Sequence, residues 1–181
     1  MPYKNIEVSR STIIKDVITL KPSSFYDFRG EVFTTYHSDI YDKYLPVDQN
    51  FKHDRFSFSR KGILRGMHTD DKTWKLVTAV YGEIYLVVGD HRPDSPTYLK
   101  WDAWTINEKN RIQVLVPPGF INGHYCITDA LFHYKMSYGG EYTDVKDQTV
   151  VMWNSNEYNI EWPLSEDPVM SLRDKLGKYN D

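Results

Sequence analysis

The chain has 181 residues, a formal net charge of −3 and a sequence pI near 6.1. That balance argues against a general nucleic-acid binder, which needs clustered basic charge to neutralise phosphates, and leaves room only for a local anion site. A single cysteine, Cys126, excludes an internal disulfide framework, and no stretch approaches the roughly 18 apolar residues of a membrane-spanning helix.

The amino terminus, MPYKNIEVSR, has no apolar leader, so a soluble, cytoplasmic protein is expected, folding as one domain over 1–181. In chain order, SDIYDKYL (38–45) predicts two helical turns. GILRGMH (62–68) places His68 in a glycine-flanked turn. TWKLVTAV (73–80) and EIYLVVGD (83–90) flank Tyr81-Gly82 and are apolar at almost every position, which predicts a hairpin of strands covered on both faces. RIQVLVPPGF, ALFHYKMSY and TVVMWN supply further strands, with PPGF, TDA and GGEYTD as turns. DPVMSLRDKLGKYND (167–181) predicts a short closing helix. Many short strands with turn signals at this spacing make an antiparallel, all-β jelly roll enclosing a cavity, and the 14 tyrosines and 5 tryptophans suit a pocket lined by flat rings.

Lys75 is the first candidate for chemistry, because in an extended strand it shares a face with Val77 and Ala79. A lysine there is costly to bury without an anionic partner, unless it snorkels to water from an edge strand. His68 stands seven residues earlier, after Arg65, whose planar fork suits carboxylate or phosphate. In FHYKMSY, Phe132, Tyr134 and Met136 share one face and Tyr138 follows in register, so Tyr134 can bring a proton-donating hydroxyl to the same cavity or simply pack the core. A metal centre would need more than is present: no His-x-His occurs, the candidate position reads His68-Thr69-Asp70, and His124 is the one available later ligand.

With these residues in hand, the chain resembles the nucleotide-sugar 3,5-epimerases, metal-free cupins. The likeness runs from DFRGEVFTTY (27–36) through GILRGMH, KLVTAVYGEIYLVVGDHRPDSPTY, VPPGF and FHYKMSY to VMWNSNEYNIEWP and SLRD. The combination of LRG-x-H, KLV-x-x-V-x-GE, D-x-R-x-x-SPT and IEWP is far more specific than any one motif. The resemblance implies a cupin-type jelly-roll barrel with short peripheral helices, no cofactor, and a homodimer. By matched position it implies His68 as general base, Asp174 as the carboxylate that orients and polarises it, Lys75 as the active-site lysine and Tyr134 as proton donor. Arg65 and Arg29 match substrate-contacting arginines, the latter reaching across a dimer interface, and Tyr138 and His124 are further expected substrate contacts.

The chain also departs from the pattern of the family it resembles. EVFTTY stands where many relatives read FFFESY, placing Thr34 at a glutamate position. GFINGH stands for GFAHGF, placing Asn122 at a histidine position, and His53 and Arg55 replace the usual Gln and Asn of a QDN segment. These four contacts point away from the usual sugar or base, toward the branch that acts on GDP-linked 4-keto-heptoses for capsule and surface polysaccharide, with a dTDP-linked sugar as the other nucleotide choice. The alternatives from other classes are a metal-dependent cupin dioxygenase or isomerase and a non-catalytic sugar-binding cupin.

Overall fold

The structure, a computed structural model, describes residues 5–178. One sheet runs, in spatial order, β1 (Ile6–Arg10), β2 (Ile18–Pro22), β10 (Gln113–Val116), β7 (Trp74–Tyr81), β12 (Ala130–Ser137) and β5 (His53–Ser59). The other runs β13 (Thr149–Val150), β6 (Leu64–Thr69), β11 (Phe120–Cys126), β8 (Glu83–Asp90) and β9 (Trp101–Asn107). A separate hairpin pairs β3 (Ser24–Asp27) with β4 (Gly30–Phe33). All ladders are antiparallel, and the helices are short: α1 (Ser38–Tyr41), continued by a 3₁₀ turn at Asp42–Tyr44, and α2 (Leu172–Leu176). The result is the expected antiparallel jelly roll, with the helical reading of 38–45 reproduced.

The core lies between the sheets, where Val77, Ala79 and Phe132 of one meet Ile84, Leu86, Val88 and Phe120 of the other. Leu76, on the opposite face of β7, packs with Ile18, Leu20, Leu115 and Tyr41 beneath α1. Val87, on the opposite face of β8, packs with Met67, Ile121 and Tyr158. Both strands are therefore covered on two faces, which is why neither alternates polar with apolar.

They do not, however, form a hairpin with each other. β7 pairs with β10 and β12, whereas β8 pairs with β11 and β9, so Tyr81-Gly82 carries the chain from one sheet to the other. Gly82 makes the crossing possible. Its φ is +73°, and a Cβ there would stand 1.9 Å from the Asp129 carbonyl oxygen. An apolar pair around a glycine reads alike for a hairpin and a sheet-to-sheet bend, because strands covered on both faces carry no alternation that tells the two apart.

His68 also differs from its expected turn: it lies within β6, opposite Asn122 of β11 and Val150 of β13. Gly66 adopts φ +122°, and a Cβ on it would meet the Gly123 Cα at 2.5 Å, so the two glycines let β6 and β11 close up beside the histidine. TVVMWN contributes only Thr149 and Val150 as strand. The chain beyond covers the outer sheet face with Val151, Ile160 and Trp162 of the IEWP motif, and the Trp162 indole donates to the Trp153 carbonyl at 2.8 Å. The closing helix is confined to five residues, started by Ser171, whose Oγ accepts from the Asp174 N–H, and stopped by Gly177 at φ 64°. Residues 179–181 of that predicted helix, and 1–4 of the amino-terminal stretch, lie outside the described residues. No helix among the described residues is long and apolar enough to cross a membrane.

The D-x-R-x-x-SPT motif has a structural explanation. The Asp90 carboxylate is fully buried and accepts from Arg92 Nε at 2.9 Å, Ser95 Oγ at 2.5 Å and Thr97 Oγ1 at 2.7 Å. Burial alone would raise its pKa, but these donors carry it well below the usual carboxylate range. The motif ties down the loop after β8, away from the cavity.

Candidate active site

Between the sheets opens a cavity of about 630 Å³. One wall belongs to β7, β12 and β5, whose alternation turns Lys75, Val77, Phe132, Tyr134, Met136, Arg55 and Ser57 inward. Register places Tyr134 between Val77 and Arg55, and Met136 beside Lys75. The opposite wall belongs to β6 and β11 and presents Arg65, His68, Asn122 and His124. The segment ending in α2 closes one side with Ser171, Arg173 and Asp174.

His68 Nε2 lies 2.7 Å from Asp174 Oδ1, and the second carboxylate oxygen accepts from the Gly66 N–H at 3.2 Å. The Ser171 cap sets the first turn of α2 and so aims Asp174, itself 4% exposed, at the imidazole. A carboxylate only accepts, so a neutral His68 gives it the Nε2 proton and keeps its lone pair on Nδ1. Burial pushes the His68 pKa down, Asp174 pulls it back up, and Arg173 and Lys75 add to the depression. The net shift is downward. Asp174 raises the basicity of His68, as a nearby carboxylate does, and burial outweighs it. Asp174 is itself raised by burial, yet His68, the Gly66 N–H and Arg173 bring it below the ordinary carboxylate range.

Lys75 is half-buried and makes no ion pair among the described residues. Burial lowers its pKa, Asp70 offsets part of that, and Arg173 deepens it. The ammonium therefore gains from any negative charge that develops in the cavity. Arg65 is steadied by Ser59, with Nε donating to Oγ at 2.9 Å, and Asn122 Nδ2 donates to the His68 carbonyl at 3.1 Å. Asn122 thereby also holds the β6 backbone at the histidine.

The four expected catalytic residues, His68, Lys75, Tyr134 and Asp174, meet in this one cavity, as do Arg65, Arg55, Asn122 and His124. The others do not line it. His53 and Tyr138 stand one ring behind the wall, each packed against Tyr142 at 5.2 and 5.4 Å between centroids. Thr34 follows β4 away from the cavity, and its carbonyl is met by the Tyr41 hydroxyl at 3.5 Å. Arg29 sits exposed at the β3–β4 turn, where it pairs with Asp27 at 2.6 Å. Among the lining residues that the sequence reading did not single out, two carry a charge or a hydroxyl-bearing ring into the cavity wall. Arg173 was hidden beside Asp174 in SLRD, and its Nη2 donates to Gln148 at 3.4 Å. Tyr142 lay in a stretch read only as a turn, and the Arg55 guanidinium stands 5.3 Å over its ring. No group of three or more His, Cys, Asp or Glu among the described residues is placed to hold a metal.

A jelly roll that sets an imidazole–carboxylate pair on one wall against a lysine and a tyrosine on the other is the architecture of an isomerase-class epimerase. Residues 11–180 match the family model described as dTDP-4-dehydrorhamnose 3,5-epimerase. The chain belongs to that family. A curated relative of that name from Salmonella typhimurium is 32% identical over 174 residues, 94% of this chain and 93% of the relative. Another, from Neisseria gonorrhoeae, is 36% identical over 92% of this chain, which spans about half (51%) of that longer protein. Among solved structures, dTDP-6-deoxy-D-glucose-3,5-epimerase from Legionella pneumophila in complex with dTDP-4-keto-L-rhamnose superposes with a TM-score of 0.88 at 28% identity, covering 96% of this chain and 92% of that one. The Bacillus anthracis dTDP-4-dehydrorhamnose 3,5-epimerase with TDP and PPi bound gives 0.84 at 30% identity, with 95% and 98% covered.

Proposed function

We propose that the protein, acting as one cytoplasmic domain without metal or redox cofactor, inverts C3, C5 or both in a nucleotide-activated 4-keto sugar. A hydrogen on carbon beside a ketone is acidic only because the carbanion spreads onto oxygen, so inversion needs a base, an oxyanion stabiliser and an acid on the opposite face. His68 Nδ1 takes the proton, and Asp174 stabilises the imidazolium that forms. Lys75 stabilises the enolate oxygen at C4, and Tyr134 delivers a proton from the other side. The observation that carries this reading is the 2.7 Å His68–Asp174 contact in a cavity whose opposite wall presents Lys75 and Tyr134. A base and an acid on facing walls address two faces of one flat enolate.

Within this class we propose a GDP-linked 4-keto-heptose as substrate. Arg55 supports it: a guanidinium on the cavity wall, stacked near Tyr142, offers the fork that matches O6 and N7 of guanine. The relatives named above act, by their names, on dTDP sugars, so both nucleotides enter the test. Dimerisation is proposed through the β3–β4 hairpin, which leaves Phe25, Tyr26, Phe28 and Val32 exposed beside Arg29, an apolar surface that a second copy would cover.

Incubation of GDP- and dTDP-linked 4-keto sugars with the protein in deuterium oxide, followed by NMR, tests the reading. Deuterium is expected at C3, C5 or both, fastest with the GDP-heptose. Exchange confined to the dTDP-6-deoxyhexose would refute the choice of substrate, and no exchange with any of them would refute the activity.

A further inference from the structure

His124 lies two residues beyond Asn122 on the inward face of β11, opposite Arg65 of β6. Its ring stacks on Phe132 of the facing sheet, with centroids 4.1 Å apart and planes inclined by 18°. The imidazole thus bridges the two walls next to the Phe132–Tyr134 ring pair, whose centroids are 5.5 Å apart. It is only 4% exposed, yet its Nε2 finds no hydrogen-bond partner among the described residues.

That combination is unusual in physical terms. A phenyl ring would fill the same space against Phe132 and leave no polar atom unmatched, whereas a buried nitrogen without a partner keeps its full desolvation cost. His124 lines the substrate cavity but Nε2 itself is closed to solvent in this arrangement, so a ligand supplies the partner through a small shift of the ring or its neighbours on binding. The chemistry of that ligand group follows from the charge state. Burial first, then Arg65 and His68, push the His124 pKa down to about 3, so the ring stays neutral and is no counter-ion for phosphate. Arg65, a permanent cation with donors beyond the one given to Ser59, suits phosphate better. A neutral imidazole nitrogen best matches a hydroxyl, which donates to Nε2 when that atom is bare and accepts when it is protonated.

We propose that His124 determines substrate specificity, its Nε2 hydrogen-bonding a sugar hydroxyl so that the site selects 4-keto sugars bearing that hydroxyl over those with hydrogen or methyl in its place. The proposal rests on the epimerase reading above. The hydroxyl belongs either to the ring or to an exocyclic arm, and two probes separate these sources. A site built to bond a hydroxyl rejects its deoxy counterpart strongly, because the buried partner is then left bare.

The test measures kcat/KM for deuterium wash-in by the wild type, His124→Phe and His124→Gln. His124→Phe keeps the stack on Phe132 and removes the nitrogen; His124→Gln keeps a polar group. The probes form two pairs: dTDP-4-keto-6-deoxyglucose with its 2-deoxy analogue, and a GDP-linked 4-keto-6-deoxyheptose with the GDP-linked 4-keto-6-deoxyhexose that lacks its terminal hydroxymethyl group. The wild type is expected to favour the hydroxyl-bearing member of one pair, and His124→Phe to collapse that preference by roughly 10- to 100-fold, chiefly through KM. His124→Gln should recover part of it. Collapse within the dTDP-linked pair assigns the ring hydroxyl, and collapse within the GDP-linked pair assigns the exocyclic one. An unchanged preference order in His124→Phe, with wild-type exchange intact, overturns the role of His124 alone. If melting shows that His124→Phe does not fold, His124→Ala replaces it, and a full wild-type preference in a folded His124→Ala overturns the proposal. Absence of wash-in by the wild type with all four probes instead overturns the epimerase reading.

Discussion

Replacing Asp174 by asparagine separates the electrostatic part of the site from its shape. The side chain keeps its size, and its amide oxygen can still accept from the Gly66 N–H, now 3.2 Å from Oδ2. The amide nitrogen then faces His68 Nε2, where a carboxylate oxygen stood at 2.7 Å. Two losses follow. A hydrogen bond to a charged group contributes about 1.5–3 kcal/mol against about 1 for a neutral one, so the imidazolium formed on proton transfer loses on the order of 1–2 kcal/mol, about 10-fold in rate. A donor opposite Nε2 also favours the tautomer with its proton on Nδ1, which removes the lone pair from the side that faces the substrate. Together these predict a fall in kcat of about 10²- to 10⁴-fold, measured by deuterium wash-in, with the melting temperature shifted by only a few degrees. With its carboxylate gone, the His68 pKa falls further, so the acid limb of the residual activity moves to lower pH. Activity within about threefold of wild type in a folded Asp174→Asn would refute the reasoning.

Lys75→Met should cost about 10²- to 10³-fold in kcat, the usual loss when one oxyanion donor is removed, with KM little changed, as steady-state kinetics would show. The wild-type pH profile should be bell-shaped. Activity rises with pH through a value below 6.5, because His68 must be neutral and burial depresses it, and falls again as pH rises through a value below 10.5, because Lys75 must be protonated and is likewise depressed. Gly82→Ala should destabilise the fold by at least about 2 kcal/mol in denaturant titration, since the new Cβ meets a carbonyl oxygen at 1.9 Å in a left-handed backbone. Asp90→Ala should cost about 3 kcal/mol by stripping Arg92, Ser95 and Thr97 of their acceptor. Because the Asp90 pKa is depressed in the folded state, that gap is full above the unfolded value of about 4 and closes as pH falls through the folded value.

Much of the architecture was legible in short β-branched runs and their turn residues, because burial on a pleated sheet imposes them directly. β8 was readable at its bounds, and the helical turns at 38–45 came through. Pairing was not. A strand covered on both faces carries no alternation to say which sheet it joins, so the Tyr81-Gly82 bend looks like a hairpin until the third dimension is known. His68, Lys75 and Tyr134 were within reach, since a cation or imidazole near apolar strands calls for a partner. Asp174 was reached through family likeness, and 106 residues separate it from His68. Arg173 and Tyr142 join the cavity through segments without regular strand, where periodicity has nothing to say. The lone Nε2 of His124 is a property of packing, and no pattern in the letters announces it.

The central claim is that one imidazole moves a proton on a carbon beside a ketone. It is tested most directly by following a nucleotide-linked 4-keto sugar by NMR in deuterium oxide with wild type and His68→Asn side by side. Wild type should place deuterium at C3, C5 or both while a folded His68→Asn leaves those positions protonated; equal incorporation by the two proteins would contradict the account.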